Sequence, residues 1–243
     1  METRNDICVI IPTYKNAGTV LDVVRGALAQ GLPVIVVNDG SPDDTAALLA
    51  QADLPVTVLT HAENRGKGAA LRTGFEYARG EGYRYAITID SDGQHYPDDL
   101  PVFLQAIALH PGALIVGSRN LQAENMPGGN TFANRFSNFW FRLQTARKLP
   151  DTQTGYRAYP LDRLPDLRLL TARYEAELTL LVFSAWKGVE LVPVPIRVCY
   201  PEDRVTSFRP FHDFFRISLL NTGLCLLALV YGYPRMLLER LCR

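Results

Sequence analysis

The sequence predicts an α/β protein on a mostly parallel, doubly wound sheet flanked by helices, with a hydrophobic and amphipathic helical tail at the C-terminus. Three observations predict this. Short β-branched runs alternate with helical-period patterns through the first half, which is what a parallel sheet covered on both faces needs. Polar, glycine-bearing turns stand at the carboxyl ends of those runs, where ligands bind in such sheets. Residues 217–233, ISLLNTGLCLLALVYGY, carry no charge at all.

The elements follow in order. Residues 7–11 read as a buried strand, and Val20, Val23, Val24, Ala27 and Leu28 repeat at helical spacing. Residues 34–37 form the next strand. Ser41-Pro42-Asp43-Asp44 then reads as a helix start, with Ser41 as cap, Pro42 in the first turn and Asp44 closing a capping box. Residues 56–59 are a third strand, and Leu71, Gly74, Phe75 and Ala78 mark one helix face. Residues 85–89 and 114–116 are further strands, separated by a helix marked by Leu100, Phe103, Leu104 and Ile107. The second half is less regular. Phe132, Phe136, Phe139, Trp140 and Leu143 suggest an aromatic-rich helix, and Leu178, Leu181, Val182 and Ala185 another, before a strand over 189–194. No repeat or low-complexity linker divides the chain.

A chain of 243 residues that is 47% hydrophobic can fill one core, or one domain plus a tail. Its 25 basic and 25 acidic residues balance, so nothing in the totals points to nucleic acid and any basic site must be local. Cys8, Cys199, Cys225 and Cys242 are far apart, with no metal-ligand spacing and no disulfide framework; Cys8 and Cys225 read as buried small hydrophobes in a reducing compartment. The polar N-terminus is not a signal peptide.

The sharpest chemical motif is Asp90-Ser91-Asp92-Gly93-Gln94-His95, where a strand ends in two carboxylates one residue apart. Both acids can face one hard cation, and Mg²⁺ or Mn²⁺ held by one or two carboxylates plus substrate phosphates suits a diphosphate; Gln94 offers a third oxygen. Asn38-Asp39-Gly40-Ser41 ends another strand, and Asp39 can accept hydrogen bonds from a base or ribose edge. Asn64-Arg65-Gly66-Lys67-Gly68 precedes a helix, where two glycines allow close approach and Lys67 with the helix N-terminus can face an anion. The spacing is not that of a Walker loop.

With Ile11-Pro12-Thr13-Tyr14, these motifs resemble, in order, the family 2 glycosyltransferases, and most closely the dolichyl- or polyprenyl-phosphate sugar synthases. The resemblance runs from about Ile7 to about Arg209. Lys15-Asn16 stands where the family usually has Asn-Glu, and Asn38-Asp39 where it often has Asp-Asp. Further matches are Gly117-Ser118-Arg119, the segment Asp151-Thr152-Gln153-Thr154-Gly155-Tyr156-Arg157, Tyr174-Glu175-Ala176-Glu177-Leu178 and Val192-Pro193-Val194-Pro195-Ile196.

The resemblance implies a GT-A fold over 1–210 and an inverting transfer of sugar from a UDP- or GDP-linked donor. It implies a nucleotide held by Pro12, Thr13, Tyr14, Asn16, Asp39 and Lys67, beside the Asp90-Ser91-Asp92 turn. Asp90, Asp92 and Gln94 would hold the metal, and Arg204 would lie in a basic loop over the donor phosphates. Arg119, Arg135, Arg157 and Arg209 are its candidates for an acceptor phosphate, since arginine's forked donors suit that group. If the acceptor is a hydroxyl, a base is needed, with Asp151 first by motif position and Glu177 second.

A spanning helix takes roughly 20 apolar residues, with a range from about 17, so the uncharged run lies at the low edge. Aromatics and arginines precede it, and residues 211–243 are therefore expected to be a membrane-associating tail, lying in the interface, spanning it, or packing as a core helix. A lipid acceptor at the cytoplasmic face of the cell membrane is the matching partner, and a homo-oligomer stays open. A sugar-nucleotide pyrophosphorylase would need a glycine-rich basic signature that Pro12-Thr13-Tyr14 does not provide. A degenerate transferase acting as a scaffold is opposed by the intact Asp90/Asp92 pair.

Overall fold

The computed structural model describes residues 6–119, 128–167, 175–199 and 210–241. Its strands are β1 (Ile7–Thr13), β2 (Val34–Asn38), β3 (Val56–Thr60), β4 (Tyr85–Thr88), β5 (Leu114–Arg119), β6 (Arg157–Pro160) and β7 (Leu191–Ile196). The helices are α1 (Val20–Ala29), α2 (Thr45–Gln51), α3 (Lys67–Gly80), α4 (Leu100–Leu109), α5 (Gly128–Thr145), α6 (Glu175–Trp186), α7 (Pro210–Leu227) and α8 (Tyr233–Leu241). The seven strands form one sheet in the order β3-β2-β1-β4-β6-β5-β7. Only β6 runs against its neighbours, pairing antiparallel with both β4 and β5.

The expected α/β architecture is present, and the reason is visible strand by strand. Every residue of β1, β2 and β4 is buried, so these strands need apolar side chains on both faces. One face carries a cluster built on Cys8, Ile10, Val37, Phe75 and Trp186; the other is built on Val9, Ile11, Val24, Phe103 and Tyr156. Gly74 lets α3 lie directly on the sheet, since a Cβ there would sit 2.7 Å from the Ile10 Cγ2.

Chain order reverses at β1, which has β2 on one side and β4 on the other, both parallel. Thr13 at the end of β1 is level with Asn38 at the end of β2, so the motifs that follow these strands open at the same edge. A crevice at the carboxyl ends of β1 and β4 is the position such a topology assigns to a ligand.

Three local expectations are corrected. Helix α2 starts at Thr45, with Asp44 at its cap position. Ser41 is not the cap; its Oγ accepts a hydrogen bond from the Lys15 amide at 3.1 Å, and Asp43 accepts from Thr45 instead. The 157–160 segment, read only as a motif, is a strand in the middle of the sheet. The last strand begins and ends two residues later than 189–194, and its prolines are tolerated because β7 is an edge strand.

The tail is docked onto the body. Asn221 of α7 is buried and its side-chain oxygen accepts from Gln144 Nε2 of α5 at 2.9 Å. Leu224 and Ala228 belong to the same apolar cluster as Trp186. Residues Ala228–Gly232 form a π-turn between α7 and α8, and a Cβ on Gly232 would sit 2.4 Å from the Trp186 ring. The outer side is different: Leu219, Leu226, Leu229, Val230, Leu237, Leu238 and Leu241 are exposed.

Candidate active site

The crevice is assembled by short polar ties between the β1 and β4 ends. Asn16 Nδ2 donates to Ser91 Oγ at 2.8 Å, and Ser91 Oγ donates to the Pro12 carbonyl at 3.0 Å. Thr19 Oγ1 donates to the Ser91 carbonyl at 2.6 Å. Ser91 is buried, and its hydroxyl fastens the two loops. Gly93 turns the chain at φ +75°, and Asp92 Oδ1 accepts from the Gln94 amide at 3.0 Å. Pro12 is buried, Thr13 is buried with a hydroxyl that has no partner, and Tyr14 is exposed at the mouth with Lys15 over its ring.

The turn before α3 is held from β2. Asp39 Oδ1 accepts from the Arg65 amide at 2.9 Å and Oδ2 from the Gly66 amide at 2.7 Å. His61 Nδ1 lies 2.6 Å from Asp39 Oδ1, and its Nε2 lies 2.9 Å from Thr73 Oγ1. Asp39 is therefore buried and holds the turn before α3. Gly40 makes the turn possible, at φ +62° and with no room for a Cβ against Glu63. His61 was missed by sequence reasoning, because a lone histidine after a strand carries no signal of its own.

Lys67, the first residue of α3, faces carboxylates. Its Nζ is 2.6 Å from Asp90 Oδ1 and 3.0 Å from Glu177 Oε2, where an anionic ligand had been expected. Burial opposes the Lys67 charge, but Asp90 and Glu177 together raise its pKa above the ordinary lysine range. Burial also works against the Asp90 charge, and Lys67 overcomes it, holding that carboxyl below the ordinary range. Burial raises the pKa of Glu177 despite Lys67, and Glu177 Oε1 is buried with no hydrogen-bond partner. Gly155 closes the wall of this cluster: a Cβ there would lie 2.6 Å from Asp90 Oδ2 and 2.9 Å from Lys67 Nζ. His95 sits behind, against Tyr156, with Nδ1 unpartnered; burial pushes its pKa down to about 4, so the ring is neutral.

At the end of β5, Arg119 Nε and Nη2 donate to Asp151 Oδ2 and Oδ1 at 2.6 and 3.0 Å. Asp151 also accepts from Asn134 Nδ2 at 2.6 Å and from the Gln153 amide at 3.0 Å. It is fully buried. Burial alone would raise its pKa, yet Arg119 and the amides hold it below the ordinary range. A carboxylate so placed is a weak base, with its oxygens engaged by Arg119, Asn134 and the Gln153 amide. Asp151 positions Arg119, which lines an open groove of about 360 Å³ with Ser118, Pro193, Val194, Pro195 and Ile196.

Arg157 is wholly buried and donates to the Glu177 and Thr152 carbonyls and to Tyr159 Oη, so it braces β6. Arg135 is exposed on α5. Arg204 and Arg209 lie outside the described residues.

Among the described residues no cluster of three or more His, Cys, Asp and Glu side chains is arranged to hold a metal. Two half-buried carboxylates one residue apart, Asp90 and Asp92, nevertheless supply the hard oxygen donors that Mg²⁺ or Mn²⁺ takes when substrate phosphates complete the shell. The donor set therefore fits such an ion.

Residues 8–160 match the family described as Glycosyl transferase family 2. The polyprenol monophosphomannose synthase of Mycolicibacterium smegmatis is 33% identical over 204 residues, covering 77% of this chain and 75% of that protein. The undecaprenyl-phosphate mannosyltransferase of Micrococcus luteus is 32% identical over 202 residues, 78% of this chain and 82% of that one. The UDP-N-acetylglucosamine–dolichyl-phosphate N-acetylglucosaminyltransferase of Methanococcus voltae is 29% identical over 242 residues, 89% of this chain and 96% of that one. Among solved structures, glucosyl-3-phosphoglycerate synthase from Mycobacterium tuberculosis, in complex with Mn²⁺, UDP-glucose and phosphoglyceric acid, has a TM-score of 0.62 at 17% identity. It covers 91% of this chain and 79% of that chain, a likeness of fold.

Proposed function

The chain belongs to glycosyl transferase family 2, and we propose that it moves a sugar from a UDP- or GDP-linked donor to a polyprenyl phosphate, with inversion at the anomeric carbon. The observation that carries this reading is the pairing of Asp90 and Asp92 at the β4 end with the crevice between β1 and β4. Relatives over most of the chain's length are named for transfer to polyprenyl or dolichyl phosphate.

In this reading the nucleotide lies over Thr13, Tyr14 and Asn16, with its diphosphate toward Asp90, Asp92 and Gln94. Asp90 and Asp92 would hold a divalent ion, Mg²⁺ or Mn²⁺, which when bound would supply charge neutralisation for the departing diphosphate. An acceptor phosphate oxygen attacks the anomeric carbon, the bond from that carbon to the donor diphosphate breaks, and the nucleoside diphosphate leaves with the electron pair. Arg119, oriented by Asp151, receives the acceptor phosphate, and Arg135, Arg204 and Arg209 are further candidates for binding the phosphates.

The filled hydrogen-bond shell of Asp151 favours this acceptor over a hydroxyl. A phosphate oxygen is already anionic near pH 7 and needs no base, whereas a hydroxyl would. The exposed leucines of α7 and α8 support a position at the membrane surface, where such an acceptor lies, and the need for a nucleotide sugar favours the cytoplasmic face.

Calorimetric titration with UDP and with GDP, each with and without Mn²⁺, tests the donor half. One nucleotide should bind only with the metal, and Asp92→Ala should abolish that binding while leaving the melting curve cooperative. Equal binding by wild type and Asp92→Ala would remove Asp92 from the metal site.

A further inference from the structure

The Lys67 cluster makes a demand on the acidic motif. Asp90 is one of the two carboxylates assigned to the cation, yet one of its oxygens is 2.6 Å from an ammonium. A divalent ion and that ammonium cannot share the oxygen, because like charges at contact distance repel strongly in a partly buried site. The same ammonium has a second partner in Glu177, whose Oε2 it already touches at 3.0 Å and whose Oε1 is buried with no hydrogen-bond partner. A lysine head is a compact charge on a flexible stem and can turn its donors from one carboxylate to the other. The surroundings are close-packed: the Asp39 carboxylate holds the Gly66 amide, and Gly155 leaves no space for a Cβ beside Asp90 and Lys67. A side-chain movement is therefore the cheapest response to a cation.

We infer that Lys67 is a built-in competitor of the divalent cation at Asp90, and that Glu177 is the seat to which it withdraws when the cation binds. The inference rests on the assignment of the metal to Asp90 and Asp92. Lys67 and Glu177 are then positioning residues. They set how tightly the site takes a cation, and Glu177 acts only through Lys67.

The test is Mn²⁺ affinity, measured by the electron paramagnetic resonance signal of free Mn²⁺ with UDP or GDP present and absent. Lys67→Gln should tighten Mn²⁺ binding by about tenfold or more, since the competitor is gone. Glu177→Gln should weaken it, since Lys67 has lost its alternative partner. In the Lys67→Gln/Glu177→Gln double variant the Glu177 penalty should disappear, a non-additivity that separates withdrawal of Lys67 from simple through-space attraction. The double variant also keeps the net charge of the cluster, so it guards against misfolding of Lys67→Gln alone.

Unchanged or weaker Mn²⁺ binding in both variants that lack Lys67 overturns the inference. An undiminished Glu177 penalty in the double variant overturns the role of Glu177. Asp92→Ala separates the two levels: if it abolishes Mn²⁺ binding while removal of Lys67 changes nothing, the metal assignment stands and the inference falls. If wild type binds no Mn²⁺ with either nucleotide, the metal assignment itself falls and takes the inference with it.

Discussion

His95 shows how one buried side chain couples the site to stability. An unfolded histidine titrates near 6.5, while burial in the fold pushes His95 down to about 4. Between those values the unfolded chain binds a proton that the folded chain refuses. Stability from this group is thus complete above about pH 6.5 and falls as the pH drops toward 4, by roughly 3 kcal/mol in all. Urea unfolding of the metal-free protein at a series of pH values should show this slope, and His95→Gln should flatten it. The acids of the site were legible in the sequence as residue types at strand ends, but their directions were not. Asp39, Ser91, Asp151 and Arg157 all turn inward onto neighbours that are distant in sequence, Asp151 onto Arg119 and Asn134, Asp39 onto Arg65 and Gly66. Spacing along a strand reports which face a residue is on and nothing about what waits there.

Among the elements, the helices and strands of the first half were readable because each carries a single dominant period. Helix α1 buries Val20, Val23, Val24 and Ala27, as its spacing predicts. Strand β6 was not readable: four residues, Arg-Ala-Tyr-Pro, have no strand pattern, and only pairing with β4 and β5 makes them one. Helix α5 has the expected aromatic character, but Phe139 and Leu143 face outward while Asn134, Phe141, Gln144 and Thr145 are buried. Its inward polar side chains meet polar partners, Asn221 for Gln144 and Asp151 for Asn134. Asn221→Ala removes the side-chain oxygen that Gln144 Nε2 donates to and should cost about 1–2 kcal/mol. Leu226→Ala, on the exposed side of the same helix, should change stability by less than about 0.5 kcal/mol. Chemical denaturation of both variants in detergent-free buffer makes the comparison.

At the scale of the whole molecule, the tail is both part of the fold and a candidate membrane surface. The stretch Ile217–Leu238 is long and apolar enough to cross a membrane, and 22% of its most apolar window is buried in the fold. The sequence marked the tail's hydrophobicity but not its docking, since the buried contacts of Asn221, Leu224, Ala228 and Gly232 are made to α5 and α6. Removing residues 210–243 should therefore uncover Trp186 and its neighbours and promote aggregation, which makes truncation a poor test of membrane binding. Replacing Leu226, Leu229, Val230 and Leu238 together by Gln spares the docked side. That variant should stay folded but no longer sediment with anionic lipid vesicles. Co-sedimentation at the wild-type level would show that this surface is not the anchor.

Transfer itself is the most direct measurement. The purified protein would be incubated with undecaprenyl phosphate in vesicles, Mn²⁺, and radiolabelled UDP-glucose, UDP-N-acetylglucosamine or GDP-mannose in turn. Label from one donor should move into the organic phase as a lipid-linked product, and EDTA or Asp92→Ala should stop it. Organic-phase label at background for every donor, with metal-dependent nucleotide binding intact, would contradict a polyprenyl phosphate acceptor.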